Sequence, residues 1–164
     1  MDWVTREDTN EGIDGCVFCE LPEADTVQEI RIMVRSDHSY VLVNKAPYTP
    51  GHVLVVPQSH AGGLIELKTE SIHDIFTLTK QTTAAINHAL RPDGFNIGMN
   101  IGKAGGASIE DHVHIHIVPR WKGDTTFMPV TANTQIIAEA LDETYERLRT
   151  AFTQLDDDEL FEIE

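Results

Sequence analysis

Apolar positions in this chain follow two rhythms. Through the first sixty residues they gather in short runs rich in Val and Ile, at Ile30–Arg35, Tyr40–Val43 and His52–Pro57, which predict strands. The segment Asn44-Lys45-Ala46-Pro47-Tyr48-Thr49-Pro50-Gly51 between the last two holds two prolines and a glycine and predicts a loop. From Ser71 the period changes. Ile72, Phe76, Thr79, Thr83, Ile86 and Leu90 are spaced 4, 3, 4, 3 and 4, the mark of one helix face. Ser71 with Asp74 resembles a capping signal, and Pro92-Asp93-Gly94 ends the helix. Strands are expected again at Phe95–Ile101 and Val113–Val118, on either side of the glycine-containing stretch from Gly102 to Ser108. A second helix is expected over 134–152, with Ile137, Leu141, Tyr145, Leu148 and Phe152 on one side. Many strands and few helices predict an α+β domain with an antiparallel sheet, and nothing has the strand–helix alternation of a Rossmann fold.

Length and composition narrow the class. The chain has 164 residues, enough for one domain, and 41% of them are hydrophobic. No apolar run approaches the ~20 residues that span a bilayer, so no membrane association is expected. The start, Met1-Asp2-Trp3-Val4-Thr5-Arg6-Glu7-Asp8, lacks the basic-then-apolar order of a signal peptide, and a cytoplasmic location is expected. Two cysteines cannot build a disulfide scaffold.

The formal charge is −15, but it is unevenly placed. Residues 1–29 hold nine acids and one base, and residues 156–164 hold six acids and no base. The middle has twelve acids against eleven bases, so the acidity sits in the ends, which read as solvated. A non-specific nucleic-acid binder needs a basic face, and this composition argues against one. The expected organisation is a polar N-terminal segment at 1–15, a domain at 16–155 and an acidic tail at 156–164.

Two patterns carry chemistry. In His112-Val113-His114-Ile115-His116-Ile117-Val118 the alternation of a strand places three imidazoles on one face and the apolar residues on the other, with neighbouring imidazoles roughly 6–7 Å apart. Neutral imidazole suits metal ligation as well as nucleophilic or acid–base work near neutral pH. The pair Cys16-x-x-Cys19 could be a reduced pair, a redox motif or half of a tetrahedral zinc site that draws two nitrogen ligands from elsewhere.

The run at 112–118 resembles the signature of the histidine triad (HIT) family, His-φ-His-φ-His-φ-φ with φ apolar. Leu42-Val43-Asn44, the Pro50–Pro57 run, Asn100-Ile101-Gly102 and Gly105-Gly106 follow the family's usual order, so the resemblance covers roughly residues 16–130. The stretch from Val118 to Asp124, then Phe127-Met128-Pro129-Val130, resembles the prokaryotic branch of diadenosine tetraphosphate phosphorylases or hydrolases. The resemblance implies a five-stranded antiparallel sheet with a long helix and a C-terminal helix, and a homodimer whose sheets join. It also implies that His114 attacks the α-phosphorus of a nucleotide to form a nucleotidyl-histidine. A hydrogen bond from its other ring nitrogen to a backbone carbonyl would fix the reactive tautomer. His116 would bind phosphate oxygens and assist the leaving group, and His52 would join the cluster from the adjacent strand. Asn44 would contact the ribose, Asn100 would line the phosphate side and Ser108 would contact the α-phosphate. Positive potential would come from imidazolium, the N–H groups of Gly105 and Gly106, and Lys103 or Arg120. By the same resemblance Cys16, Cys19, His60 and His112 would hold a structural zinc, with His112 bracing His114.

Outside the triad each role competes with a plain one: His52 could simply pack, and Lys103 or Arg120 could be solvated. Other readings fit the same alternation. They are an adenosine phosphoramidate hydrolase, a hydrolase using a catalytic ion on His112, His114 and His116, and a nucleotide-binding protein without chemistry.

Overall fold

Every residue of two neighbouring strands, β2 (Ser39–Val43) and β3 (Val53–Pro57), is buried. Such near-continuous apolar runs belong to strands covered on both faces, and the computed structural model, which describes residues 15–23, 32–124 and 141–157, shows what covers them. With β1 (Ile32–Arg35), β4 (Gly94–Met99) and β5 (Ile115–Arg120) they form a five-stranded sheet in the order β1-β2-β3-β5-β4, antiparallel at every pairing. On one face Val41, Val53, Val55, Ile115 and Ile117 pack with Ile75, Leu78, Ile86 and Leu148 of two helices. On the other, Tyr40, Leu42, Leu54 and Val56 pack around Phe18 from the short helix α1 (Val17–Glu20). The Tyr40 hydroxyl donates to the Phe18 carbonyl at 2.6 Å and ties α1 to the sheet.

The long helix α2 spans Thr69–Leu90, beginning two residues before the expected start. Lys68 occupies the N-cap with no side-chain cap, so Ser71 is not a capping residue; it is buried in the first turn. Asp74 instead accepts a hydrogen bond from the Ser36 hydroxyl at 2.6 Å. The buried face is also rotated from the expected stripe. It runs through Ser71, Ile75, Leu78, Thr79, Thr82, Ala85 and Ile86, while Phe76 is 51% exposed. Small and hydroxylated residues allow the helix to approach the sheet closely. The Thr79 and Thr82 hydroxyls donate to the carbonyls of Ile75 and Leu78, so their burial leaves no polar group unpaired. The helix ends at Arg91, in the left-handed region at φ 49°.

A third helix, α3 (Leu141–Asp157), lies on α2 and β1. Leu148 is buried there, the Arg147 guanidinium donates to the Ala89 carbonyl, and the Tyr145 hydroxyl donates to the Ile32 carbonyl. The helix runs through Asp157, two residues into the stretch assigned to the acidic tail. Residues 1–14, 24–31, 125–140 and 158–164 lie outside the described residues, including the expected helix start at 134, Ile30 of the first strand and most of the tail. The last two strands shift at both ends: β5 runs over Ile115–Arg120 rather than Val113–Val118, and β4 over Gly94–Met99 rather than Phe95–Ile101. Val113 leaves the ladder because its N–H donates to Ala61 at 2.7 Å and its side chain joins a separate cluster with Ala61 and Leu67. No helix among the described residues is long and apolar enough to cross a membrane.

Candidate active site and metal centre

Alternation along β5 sends Ile115 and Ile117 to the helix face and leaves His114 and His116 on the face that carries α1. His116 stands between Leu54 of β3 and Gly98 of β4. A Cβ on Gly98 would meet nothing within 4 Å, so the strand beside His116 leaves open space. The rings of His114 and His116 lie closer than bare strand spacing, with centroids 4.8 Å apart.

Hydrogen bonds put these two imidazoles in opposite tautomers. His114 Nδ1 lies 2.9 Å from the carbonyl of His112; a carbonyl only accepts, so Nδ1 carries the proton and Nε2 keeps a free lone pair. His52 Nδ1 accepts the Tyr48 main-chain N–H at 3.1 Å, which leaves its hydrogen on Nε2. That Nε2–H donates to His116 Nδ1 at 3.0 Å, so His116 presents an N–H at Nε2. One ring offers an electron pair and its neighbour offers a hydrogen.

The same packing disfavours the charged form of the rings. Burial, then the proximity of His116 and His114, pushes His52 down to about 3. Burial and His114 push His116 down to about 4, and burial lowers His114 against the opposing effect of its bond to His112. Burial thus disfavours imidazolium, one of the sources of positive potential that the resemblance implies. Two other expected sources are also engaged. The Gly105 and Gly106 N–H groups close turns onto Gly102 and Lys103. Arg120 forms two bonds to Asp124, at 2.6 and 2.7 Å, and a third to Asn96 at 2.9 Å. Lys103 remains exposed.

The other predicted residues fall in two places. Asn44 sits against His52, its Nδ2 3.2 and 3.3 Å from the two ring nitrogens, while its Oδ1 accepts the Ala46 N–H. Asn100 donates to the Gly106 carbonyl at 3.3 Å, holding the loop that leads through exposed Ser108 to His112. Two aromatic residues were missed by sequence reasoning. Tyr48 lies 4.6 Å from His52 and 6.2 Å from His116, ring to ring. Phe18 lies 5.4 Å from His112 and 4.9 Å from His114. Neither belongs to a periodic pattern; Phe18 was legible only as a residue between two cysteines.

A second cluster shares His112. The ligand atoms of Cys16, Cys19, His60 and His112 all lie within 4.8 Å of one another, the one such group of three or more potential ligands among the described residues. His112 Nε2 donates to the Pro57 carbonyl at 2.8 Å, which turns its unprotonated Nδ1 toward the sulfurs. That Nδ1 is 3.2 Å from Cys16 Sγ and 3.5 Å from Cys19 Sγ, and His60 Nδ1 is 3.4 Å from Cys19 Sγ. Thiolate at ~2.3 Å and imidazole at ~2.0–2.1 Å around tetrahedral zinc put neighbouring S and N donors roughly 3.5 Å apart, so the set fits such an ion. Burial and then the neighbouring Cys16 thiol push Cys19 up to about 11, a cost that a bound cation would reverse. The triad imidazoles themselves do not converge: His114 and His116 spend their Nδ1 atoms on a carbonyl and on His52.

AP-4-A phosphorylase of Mycobacterium tuberculosis is 30% identical over 151 residues, 92% of this chain and 77% of that protein. Adenosine 5′-monophosphoramidase hnt1 of Schizosaccharomyces pombe is 34% identical over 105 residues, 64% of this chain and 74% of that one. Among solved structures, a zinc-bound histidine triad family protein from Mycobacterium smegmatis superposes with a TM-score of 0.71 at 27% identity, covering 88% of this chain and 98% of that one. The family model of the HIT domain matches residues 25–123, which include His52, His60 and the whole triad, and the chain therefore belongs to the HIT domain family.

Proposed function

We propose that this protein cleaves dinucleoside polyphosphates, diadenosine tetraphosphate foremost, at the α-phosphorus through a nucleotidyl-histidine on His114. The observation that carries the reading is the pair of opposed tautomers, a free lone pair on His114 Nε2 beside an N–H on His116 Nε2. His114 Nε2 attacks the α-phosphorus and the bond to the departing phosphate oxygen breaks. The leaving oxygen takes the electron pair, and the His116 N–H stabilises the developing charge by hydrogen bonding. Water or inorganic phosphate then takes the nucleotidyl group, and the P–N electron pair returns to His114; with water as acceptor one proton is released. Dividing the transfer this way replaces one difficult step with two easier ones.

In this reading Asn44 holds the ribose, Asn100 and Gly106 shape the phosphate side, and Ser108 and Lys103 contact phosphate oxygens. Cys16, Cys19, His60 and His112 hold a structural zinc, whose chemistry is to fasten α1 and the His112 segment to the sheet. The protein acts as a homodimer joined along β4, a sheet-edge strand whose Ile97 is 49% exposed. The similarity to AP-4-A phosphorylase supports the substrate choice.

Incubation with diadenosine tetraphosphate, with and without inorganic phosphate, tests it by nucleotide chromatography. ADP and ATP formed only with phosphate mark a phosphorylase, and AMP with ATP marks asymmetric hydrolysis. No turnover would refute the assignment. The similarity to the fission-yeast phosphoramidase favours adenosine phosphoramidate as a second substrate, since attack occurs at the same phosphorus.

A further inference from the structure

A neutral imidazole can carry its proton on either nitrogen, and only one choice lets His116 face a substrate with a donor. Here that choice is made two residues away. The Tyr48 main-chain N–H can only donate, so His52 Nδ1 accepts it, and the hydrogen on His52 Nε2 then excludes one from His116 Nδ1. The Tyr48 ring lies along the same pair, inclined 32° to His52 and 20° to His116. Its side chain is nevertheless 55% exposed, so packing the core does not account for its placement. The loop that carries it is fixed by one local and one distant bond: Asn44 accepts the Ala46 N–H, and the Thr49 hydroxyl donates to the Pro119 carbonyl at 2.9 Å.

We propose that Tyr48 is a positioning residue for the leaving-group donor: its main chain sets the tautomer of His52, and its ring clamps His52 and His116 together so that His116 keeps its Nε2–H toward the substrate. This rests on the reading of His116 as a hydrogen-bond donor in nucleotidyl transfer. Tyr48 touches no reacting atom; it acts through the two imidazoles. An imidazole freed from the clamp would sample both tautomers and orientations, weakening the bond to the leaving oxygen where charge develops.

The test compares p-nitrophenyl and phenyl esters of AMP, which differ chiefly in how much help the leaving oxygen needs. In Tyr48→Ala, kcat on the phenyl ester should fall about tenfold more than kcat on the p-nitrophenyl ester. Tyr48→Phe, which restores the ring, should return that ratio toward the wild-type value. An equal loss on both esters would mean a merely structural role and would overturn the proposal. Nitrogen-15 NMR of the imidazoles provides an arm independent of activity. His52 and His116 of the wild type should both show an unprotonated Nδ1, and His116 should shift toward averaged nitrogens in Tyr48→Ala. A wild-type His116 protonated at Nδ1, or an unaltered His116 in Tyr48→Ala, refutes the clamp. Failure of the wild type on both esters would instead count against the nucleotidyl-transfer reading, with the NMR arm deciding the clamp alone.

Discussion

The Nδ1 of His114 and the carbonyl oxygen of His112 are 2.9 Å apart, and that hydrogen bond joins two sites. The side chain of His112 belongs to the cysteine cluster, with Nε2 held by Pro57 and Nδ1 turned to the sulfurs. Its main chain belongs to the imidazole pair. One residue therefore takes part in both sites, through its side chain in one and its carbonyl in the other.

Replacing His114 with alanine should abolish turnover of diadenosine tetraphosphate, by about three orders of magnitude or more, with nucleotide binding and thermal stability largely kept. His116→Ala should slow the reaction less, by about 10²-fold or somewhat more. Single-turnover assays with binding measured by calorimetry make the comparison. A His114→Ala protein at near wild-type rate would exclude the covalent route.

Metal content should be about one ion per chain, lost in Cys16→Ser and His60→Ala and retained in His114→Ala. Loss of the ion should lower the melting temperature, because the cluster joins α1, the segment after β3 and the segment before β5. Elemental analysis and thermal melts read this directly. In a cobalt-substituted sample, thiolate-to-metal charge-transfer bands should appear; a metal-loaded protein lacking them would place the ion elsewhere.

Stability should fall as pH drops from about 6.5 toward 4. His52 and His116 are held near 3 and 4 in the native state, below the ordinary imidazole value of about 6.5. In that window the unfolded chain binds protons that the native state refuses, so the native state is favoured above pH 6.5 and progressively penalised below it. Urea midpoints at pH 7 and 5 measure the effect. A His116→Gln protein should lose less stability over the same interval; an identical loss would show that this imidazole does not contribute.

Leu148→Ala should destabilise by about 2–5 kcal/mol, since the side chain is fully buried at the junction of α3 with the sheet. Turnover per folded molecule should stay within a few-fold, because α3 covers the face opposite the imidazoles. Chemical denaturation and an activity assay at 15 °C separate the two effects.

The chain order of apolar and polar positions already contained the strands around Tyr40–Val43 and Val53–Pro57, the long helix and the alternation from Ile115 to Ile117, though not the departure of Val113 from the ladder. These are local properties: a strand repeats every two residues and a helix every 3.6, and each repeat is visible in a short window. The rotation of the long helix is not legible from the sequence, because its apolar positions admit more than one stripe. Only the sheet decided for Ile75, Leu78 and Thr82 over Phe76, since small and self-satisfied hydroxylated residues allow closer approach. The residues of both clusters were legible by resemblance, but the proton positions were not. Those depend on a carbonyl at His112, an N–H at Tyr48 and a carbonyl at Pro57, and a backbone group's partner is set by how distant segments dock. The same holds for the bonds of Arg120 to Asp124 and Asn96, which spacing along the chain does not disclose. Residue types and their spacing settle which chemistry a chain can hold; tertiary contacts settle which nitrogen carries the proton, because that depends on atoms brought within 3 Å from elsewhere in the chain.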